Sequence, residues 1–216
     1  MNTKRLRPGL YAITDGNLLQ PDRLVTAVEA ALRGGATLVQ YREKSLPHAE
    51  RLRLASDLAA ACRSADVPLI INDDAELAKR VAASGVHLGQ SDGSLAAARA
   101  LLGDQAIIGI TCHARMDLAT AAYEGGADYL AFGRFFSSST KPEAPEASPE
   151  ILGEARAFGK PVTAIGGINL HNGESLIRAG ADLLAVVGGL FDGDDVLIED
   201  RARHFTRLFS AHHPLF

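Results

Sequence analysis

"FFSSSTKPEAPEASPE" (residues 135–150) is the stretch on which the architecture turns. It carries one lysine (Lys141), four consecutive hydroxyls from Ser137 to Thr140 and three prolines, in a chain otherwise built from short apolar runs. Two readings compete. A solvated linker would separate two domains. A loop at the end of a strand would gather hydroxyls, backbone N–H groups and a lysine around an anion. The composition of the stretch does not choose between them; its place among the apolar runs does.

Those runs are "GLYAIT" (9–14), "TLVQY" (37–41), "PLIIN" (68–72), "GVHLG" (85–89), "AIIGIT" (106–111), "YLAFG" (129–133), "PVTAIGG" (161–167) and "LLAVVGG" (183–189). Continuous apolar runs this short suit strands buried on both faces, as in a parallel sheet. Amphipathic segments separate them. "DRLVTAVEAALRGG" (22–35) places Leu24, Val25, Val28, Ala31 and Leu32 at helical spacing and stops at a glycine pair. "AERLRLASDLAAACRSA", "DAELAKRVAASG", "SLAAARALLG", "MDLATAAYEGG" and "GESLIRAG" repeat the pattern, and "LIEDRARHFTRLFSA" closes it.

Eight strand–helix pairs in 216 residues give a period of roughly 27, which predicts a compact α/β fold, a (β/α)8 TIM barrel with eight parallel strands. The expected domain organisation is one barrel over residues 1–216. The competitor, a doubly wound open sheet, often carries GxGxxG after its first strand, and "ITDGNLLQ" (13–20) has none. Within a closed barrel, residues 135–150 lie between strands six and seven. They read as a βα loop.

Composition limits the function classes. A net charge of −4 and a pI near 6.0 argue against a general nucleic-acid or anionic-membrane binder, but still allow a locally positive pocket. Cys62 and Cys112 are too few for a disulfide framework and have no metal-ligand spacing. "MNTKRLRPGL" (1–10) leads into no signal-like apolar core. No apolar run approaches the ~20 residues needed to span a bilayer. The expectation is a cytoplasmic protein with small-molecule partners, no nucleic acid and no membrane; homo-oligomerisation is left open.

Chemistry in such a barrel sits where the strands end. In "VQYREKS" (39–45), alternation puts Gln40, Arg42 and Lys44 on one face and Tyr41 and Glu43 on the other. A cationic ladder facing an anion competes here with simple solvation, in which Arg42 pairs with a neighbouring carboxylate. "INDDAE" (71–76) offers Asn72 and Asp73, with Asp74 as a helix cap, and "GVHLGQSDGS" (85–94) adds Asp92. Asp73 and Asp92, opposite Arg42 and Lys44, suit a diphosphate bridged by Mg²⁺, an ion bound through one or two carboxylates plus phosphate oxygens.

In "GITCHAR" (109–115) Thr111 is the pocket-facing group; Cys112 and His113 point to opposite faces and make no nucleophile pair. Structural roles are expected for His87 and His113, and packing or turn roles for Tyr129 and Asp128. The glycines of "AIGGI" (164–168) and "VVGG" (186–189) follow strands seven and eight, a frequent phosphate site in barrels.

Taken in order, "GLYAITD", "VQYREKS", "LIINDDAELA", "GVHLGQSD", "IIGITCH", "ADYLAFGRFFSSSTKP", "VTAIGGI" and "AVVGGLF" resemble the thiamine-phosphate synthase family over nearly the whole chain. The resemblance implies condensation of an aminopyrimidine diphosphate with a thiazole phosphate, the latter plain or carboxylated, with release of diphosphate. It implies Gln40, Tyr41, Arg42, Glu43, Lys44, Asn72 and Thr111 around the pyrimidine diphosphate, and Asp73 and Asp92 on Mg²⁺. Ser138, Ser139, Thr140, Gly167, Val187 and Gly188 would surround the thiazole phosphate, with Lys141 on the diphosphate. Arg42, Lys44 and Lys141 would be the catalytic cations.

Ser138-Ser139-Thr140-Lys141 stands where relatives often have Thr-x-Thr-Lys. Arg134 replaces a common Pro, and Gly188 a common Ser. A thiazole tautomerase and a non-catalytic phosphoester-binding barrel are the alternatives. The second half of the opening stretch reads as a stiffened return to the next helix, with Ser148 as N-cap and Pro149 in its first turn. If Lys141 stabilises the leaving diphosphate, Lys141→Ala lowers turnover by about 10²–10³ in a steady-state assay, and a loss within about threefold contradicts the assignment.

Overall fold

The computed structural model of the chain describes residues 6–137 and 145–215. Every apolar run becomes a strand: β1 (Gly9–Ile13), β2 (Leu38–Tyr41), β3 (Leu69–Asn72), β4 (Gly85–Leu88), β5 (Ile107–His113), β6 (Tyr129–Phe132), β7 (Val162–Ile165) and β8 (Leu183–Val186). Each pairs in parallel with its neighbours in chain order, and β8 pairs with β1 to close the barrel. The helices alternate with the strands: α1 (Leu24–Arg33), α2 (His48–Ser64), α3 (Ala75–Arg80), α4 (Leu95–Leu102), α5 (Met116–Glu124), α6 (Glu150–Ala155), α7 (Gly173–Ala179), α8 (Gly188–Phe191) and α9 (Asp195–His212).

Closure explains why the runs lack a polar alternation: both faces of each strand are buried. Tyr11, Ile13, Leu38, Ile70, Ile107, Tyr129, Leu183 and Ala185 fill the barrel interior as one cluster. Their chain neighbours Leu10, Ala12, Val39, Leu69, Ile108, Leu130 and Leu184 point outward, into the layer packed against the helices. At the N-terminal end, Arg99 on α4 binds the Asp128 carboxylate at 2.6 Å and the carbonyls of Ala106 and Gly126. Asp128 also accepts the Ile108 N–H at 2.8 Å, so this turn residue ties the starts of β5 and β6 together.

The segment from 135 to 149 joins neighbouring strands of one closed sheet, with Phe135 and Phe136 donating their N–H groups to Ile165 and Gly166. Two local expectations change here. Ser148 does not cap α6 with its hydroxyl: Pro149 is the N-cap residue, and Ser148 instead supplies its carbonyl to the Ile151 N–H. The four-residue helix α8 follows β8 directly and is too short to leave a periodic signature in the sequence.

Interior packing is tight enough to dictate side-chain size. A Cβ added at Gly109 on β5 would sit 1.9 Å from Cζ of Tyr129, so the bare α-carbon there makes room for the phenol ring. Gly109→Ala is expected to destabilise the fold by about 1–3 kcal/mol through overpacking, measured as a lowered urea midpoint at unchanged m-value.

Candidate active site

At the C-terminal mouth of the barrel lies a cavity of about 300 Å³, within reach of the small-molecule range. Its wall changes character around the circumference. From β2 and β3 come Gln40, Arg42, Lys44, Asn72 and Asp73; from β4 and β5 come His87, Asp92, Thr111 and His113. The far side is backbone-rich, with Gly166, Gly167, Val187, Gly188 and Gly189.

The cationic wall is braced by carboxylates. Arg42 Nη1 donates to Oδ2 of Asp15 at 2.6 Å, and Lys44 Nζ lies 2.9 Å from Oδ2 of Asp73. The neighbouring-carboxylate pairing weighed for Arg42 is therefore present alongside its cavity position. Asp73 adopts φ +63°, a left-handed conformation that Asp tolerates better than most residues, while its N–H donates to the His87 carbonyl at 2.8 Å. Asp92 curls back so that Oδ2 accepts the Gly89 N–H at 3.1 Å. Among the described residues no group of three or more potential metal ligands gathers, and two carboxylates suit a hard ion that completes its shell with water and phosphate oxygens, so the donor set fits Mg²⁺.

Tyr41 and Glu43 stand apart. Tyr41 points outward into the helix-facing layer, and burial, with the Glu43 charge beside it, pushes its phenol up to about 12. Glu43 braces its own loop: Oε1 accepts from the Ser45 N–H, the Ser45 hydroxyl and the Leu46 N–H. Burial raises its carboxyl, but those hydrogen bonds outweigh it and leave the group below the usual range. Ser138, Ser139, Thr140 and Lys141 lie outside the described residues.

On β5 the strand alternation holds, with a bulge between Thr111 and His113. Thr111 and His113 face the cavity, whereas Cys112 is buried outside it and its thiol is pushed up to about 12 by burial. A thiol so far above neutral pH is not a ready nucleophile.

Beneath the cavity runs a hydrogen-bonded chain that the sequence did not reveal. Gln40 Nε2 donates to the Tyr11 hydroxyl at 2.6 Å, and the Tyr11 and Tyr129 hydroxyls meet at 2.7 Å. The Tyr129 hydroxyl lies 2.9 Å from His87 Nδ1, and His87 Nε2 lies 2.9 Å from Oγ1 of Thr111. Burial raises both phenol pKa values, so the tyrosines are neutral links. The signal available in sequence was the spacing: Tyr11, His87 and Tyr129 all occupy inward positions of their strands.

On the β7 side the backbone-rich wall is shaped by the adjacent glycines Gly166 and Gly167, both with positive φ. A Cβ at Gly167 would sit 2.3 Å from the Ser137 carbonyl oxygen, so only a bare α-carbon lets the loops after β6 and β7 meet. Asn172 Nδ2 holds the Gly167 carbonyl at 3.0 Å. A Cβ at Gly188 would meet nothing nearer than a Leu18 methyl at 3.9 Å, leaving room for a larger residue. Arg134, on the same side, donates to Glu146 at 2.8 Å while its backbone pairs with Pro145 and Ala147.

Fold and cavity together define a (β/α)8 barrel with a small-molecule site at the C-terminal ends of its strands. The sequence model of the family described as thiamine monophosphate synthase matches residues 10–190, and the chain belongs to that family. It is similar to the thiamine-phosphate synthase of Marinobacter nauticus, at 63% identity over 98% of this chain and 96% of that protein. Among solved structures, the thiamine phosphate pyrophosphorylase from Pyrococcus furiosus superposes with a TM-score of 0.84 at 31% identity, covering 97% of this chain and 98% of that one. The thiamine phosphate pyrophosphorylase from Bacteroides thetaiotaomicron, at 18% identity, shares the fold with a TM-score of 0.70 over 95% of this chain and 99% of that one. The chain is an enzyme of the transferase class.

Tyr129→Phe removes the hydroxyl between Tyr11 and His87 and takes one buried hydrogen bond from each. It is expected to cost about 1–3 kcal/mol in urea denaturation, and an unchanged midpoint contradicts a satisfied chain.

Proposed function

We propose that the chain joins an aminopyrimidine diphosphate to a thiazole phosphate, plain or carboxylated, giving thiamine phosphate and diphosphate. The carrying observation is the juxtaposition of Arg42 and Lys44 with Asp73 and Asp92 on one wall, across the cavity from the glycine backbone after β7 and β8. A diphosphate needs that mixture of cations and metal-ligating carboxylates. A phosphate monoester suits closely approachable backbone N–H groups.

In this reading the bond from the pyrimidine methylene to diphosphate oxygen breaks first, and its electron pair leaves with the diphosphate. The electron-rich ring stabilises the methylene cation, and the thiazole nitrogen lone pair then forms the new C–N bond. No covalent enzyme nucleophile is required, which agrees with a buried, protonated Cys112. Arg42 and Lys44 meet the charge that grows on the departing oxygen. The Lys44–Asp73 pair is more than half exposed at the lysine end, and such pairs hold weakly, so Lys44 can exchange a carboxylate for a phosphate. Mg²⁺ held by Asp73 and Asp92 would supply further neutralisation of the diphosphate.

Gln40 and Thr111 present the two ends of the buried hydrogen-bonded chain to the cavity, and together they can hold the amino group and ring nitrogen of the pyrimidine. Thiamine biosynthesis in the cytoplasm is part of the same reading. Among the described residues no helix is long and apolar enough to cross a membrane.

The test is to mix both substrates with Mg²⁺ and measure thiamine phosphate and diphosphate. Product should form, chelation should abolish it, and Asp73→Asn and Asp92→Asn should each lower turnover by about 10²–10³. Thiazole isomerisation alone, or tight binding of both substrates without product, overturns the proposal.

A further inference from the structure

Among the described residues Asp15 is the one carboxylate at the mouth that is buried against a cationic side chain of the cavity. Its side chain is 7% exposed and that of its partner Arg42 20%, against 25% and 58% for Asp73 and Lys44. The two pairs therefore differ in kind. An exposed pair at high dielectric is readily exchanged, whereas a buried charge left without its partner is strongly penalised. Arg42 cannot leave Asp15 as Lys44 can leave Asp73.

Asp15 is itself fixed from its own side. Oδ1 accepts the Asn17 N–H at 2.9 Å, and the Asp15 carbonyl accepts the N–H groups of Leu18 and Leu19, the latter a buried core residue. Its neighbour Thr14, 1% exposed, accepts the Arg42 N–H on Oγ1 at 3.0 Å and donates its own N–H to the Gln40 carbonyl. The end of β1 thus grips Arg42 twice, once at the backbone and once at the guanidinium. A guanidinium has five N–H donors in a rigid plane, so fixing one edge aims the others.

We propose that Asp15 is a positioning residue that orients the Arg42 guanidinium toward the diphosphate of the pyrimidine substrate. The inference rests on the anion-binding role proposed above for Arg42. Asp15 touches no reacting atom. It keeps the long, rotamer-rich Arg42 side chain in one geometry before substrate arrives, so that binding does not have to order it.

A double-mutant cycle tests this, read both by kcat/KM for each substrate and by calorimetric titration of inorganic diphosphate with Mg²⁺. Asp15→Ala is expected to lower kcat/KM for the pyrimidine diphosphate, and diphosphate affinity, by about tenfold or more, as for lost outer-shell partners elsewhere. Asp15→Asn, which keeps the shape and an acceptor oxygen, should lie between Asp15→Ala and wild type and hold the fold if the alanine variant melts early. KM for the thiazole phosphate should not move. In an Arg42→Ala background the same Asp15 substitutions should change either readout by less than about twofold, because coupled residues are non-additive.

Equal losses in both backgrounds, or a parallel loss of thiazole phosphate binding, overturn the proposal. So does an Arg42→Ala variant with unaltered diphosphate binding. Failure of the parent reading looks different: wild-type enzyme would then yield no thiamine phosphate from the two substrates.

Discussion

The contact between the Tyr11 and Tyr129 hydroxyls, 2.7 Å apart in the barrel interior, marks the level at which packed hydrocarbon gives way to a polar cavity. Leu38, Ile70, Ile107 and Leu183 fill the interior with these tyrosines, so the barrel is plugged rather than open. On the cavity side, Gln40, His87 and Thr111 hold inward positions nearer the C-terminal ends of β2, β4 and β5. Closure forces this arrangement. Once eight parallel strands form a ring, every second residue must point at the axis, and a residue's height along its strand decides whether it packs or binds.

The charged mouth follows from the same geometry. Side chains that continue the inward series beyond the ends of β2, β3 and β4 emerge above the plug, where solvent and ligands can reach them. There cations and carboxylates alternate: Asp15 with Arg42, Lys44 with Asp73, then Asp92. Opposite charges at the mouth limit mutual repulsion among the side chains that line it, and in the proposed reading they offer both a partner for phosphate and ligands for a cation. The wall after β7 and β8 contributes almost no charge and presents backbone instead.

How far this was legible in the sequence varied with the length scale of the signal. Strands announced themselves because burial on both faces leaves runs such as "LLAVV" with no polar interruption. The period-two rule placed Arg42 and Lys44 at the cavity and turned Cys112 away from it. The same rule set Tyr41 and Glu43 on the other face, and the structure finds them packed outward and bracing a turn, although a family pattern groups them with the substrate contacts. Asp15 was not singled out, because an aspartate in "ITDGN" reads as a turn residue until the fold brings β2 beside it. His87 and Tyr129 read as packing residues because a linear pattern cannot show that five polar groups on five strands converge. Ser148 as a cap followed a correct local rule that the neighbouring Pro149 displaced.

The buried chain has one further consequence. Each phenol owns a single proton, so with Gln40 Nε2 donating to Tyr11 the arrangement that uses both phenol protons runs one way: Tyr11 donates to Tyr129, Tyr129 to His87 Nδ1, and His87 Nε2–H to Thr111. Gln40 then keeps its carbonyl oxygen, and Thr111 its hydroxyl proton, for the cavity. A flat ring held between them, as the proposed function has it, would meet an acceptor at one end and a donor at the other. Turning it over would mean re-plumbing five side chains at once, and the barrel axis thereby acquires a polarity that its near-symmetric ring of strands does not have.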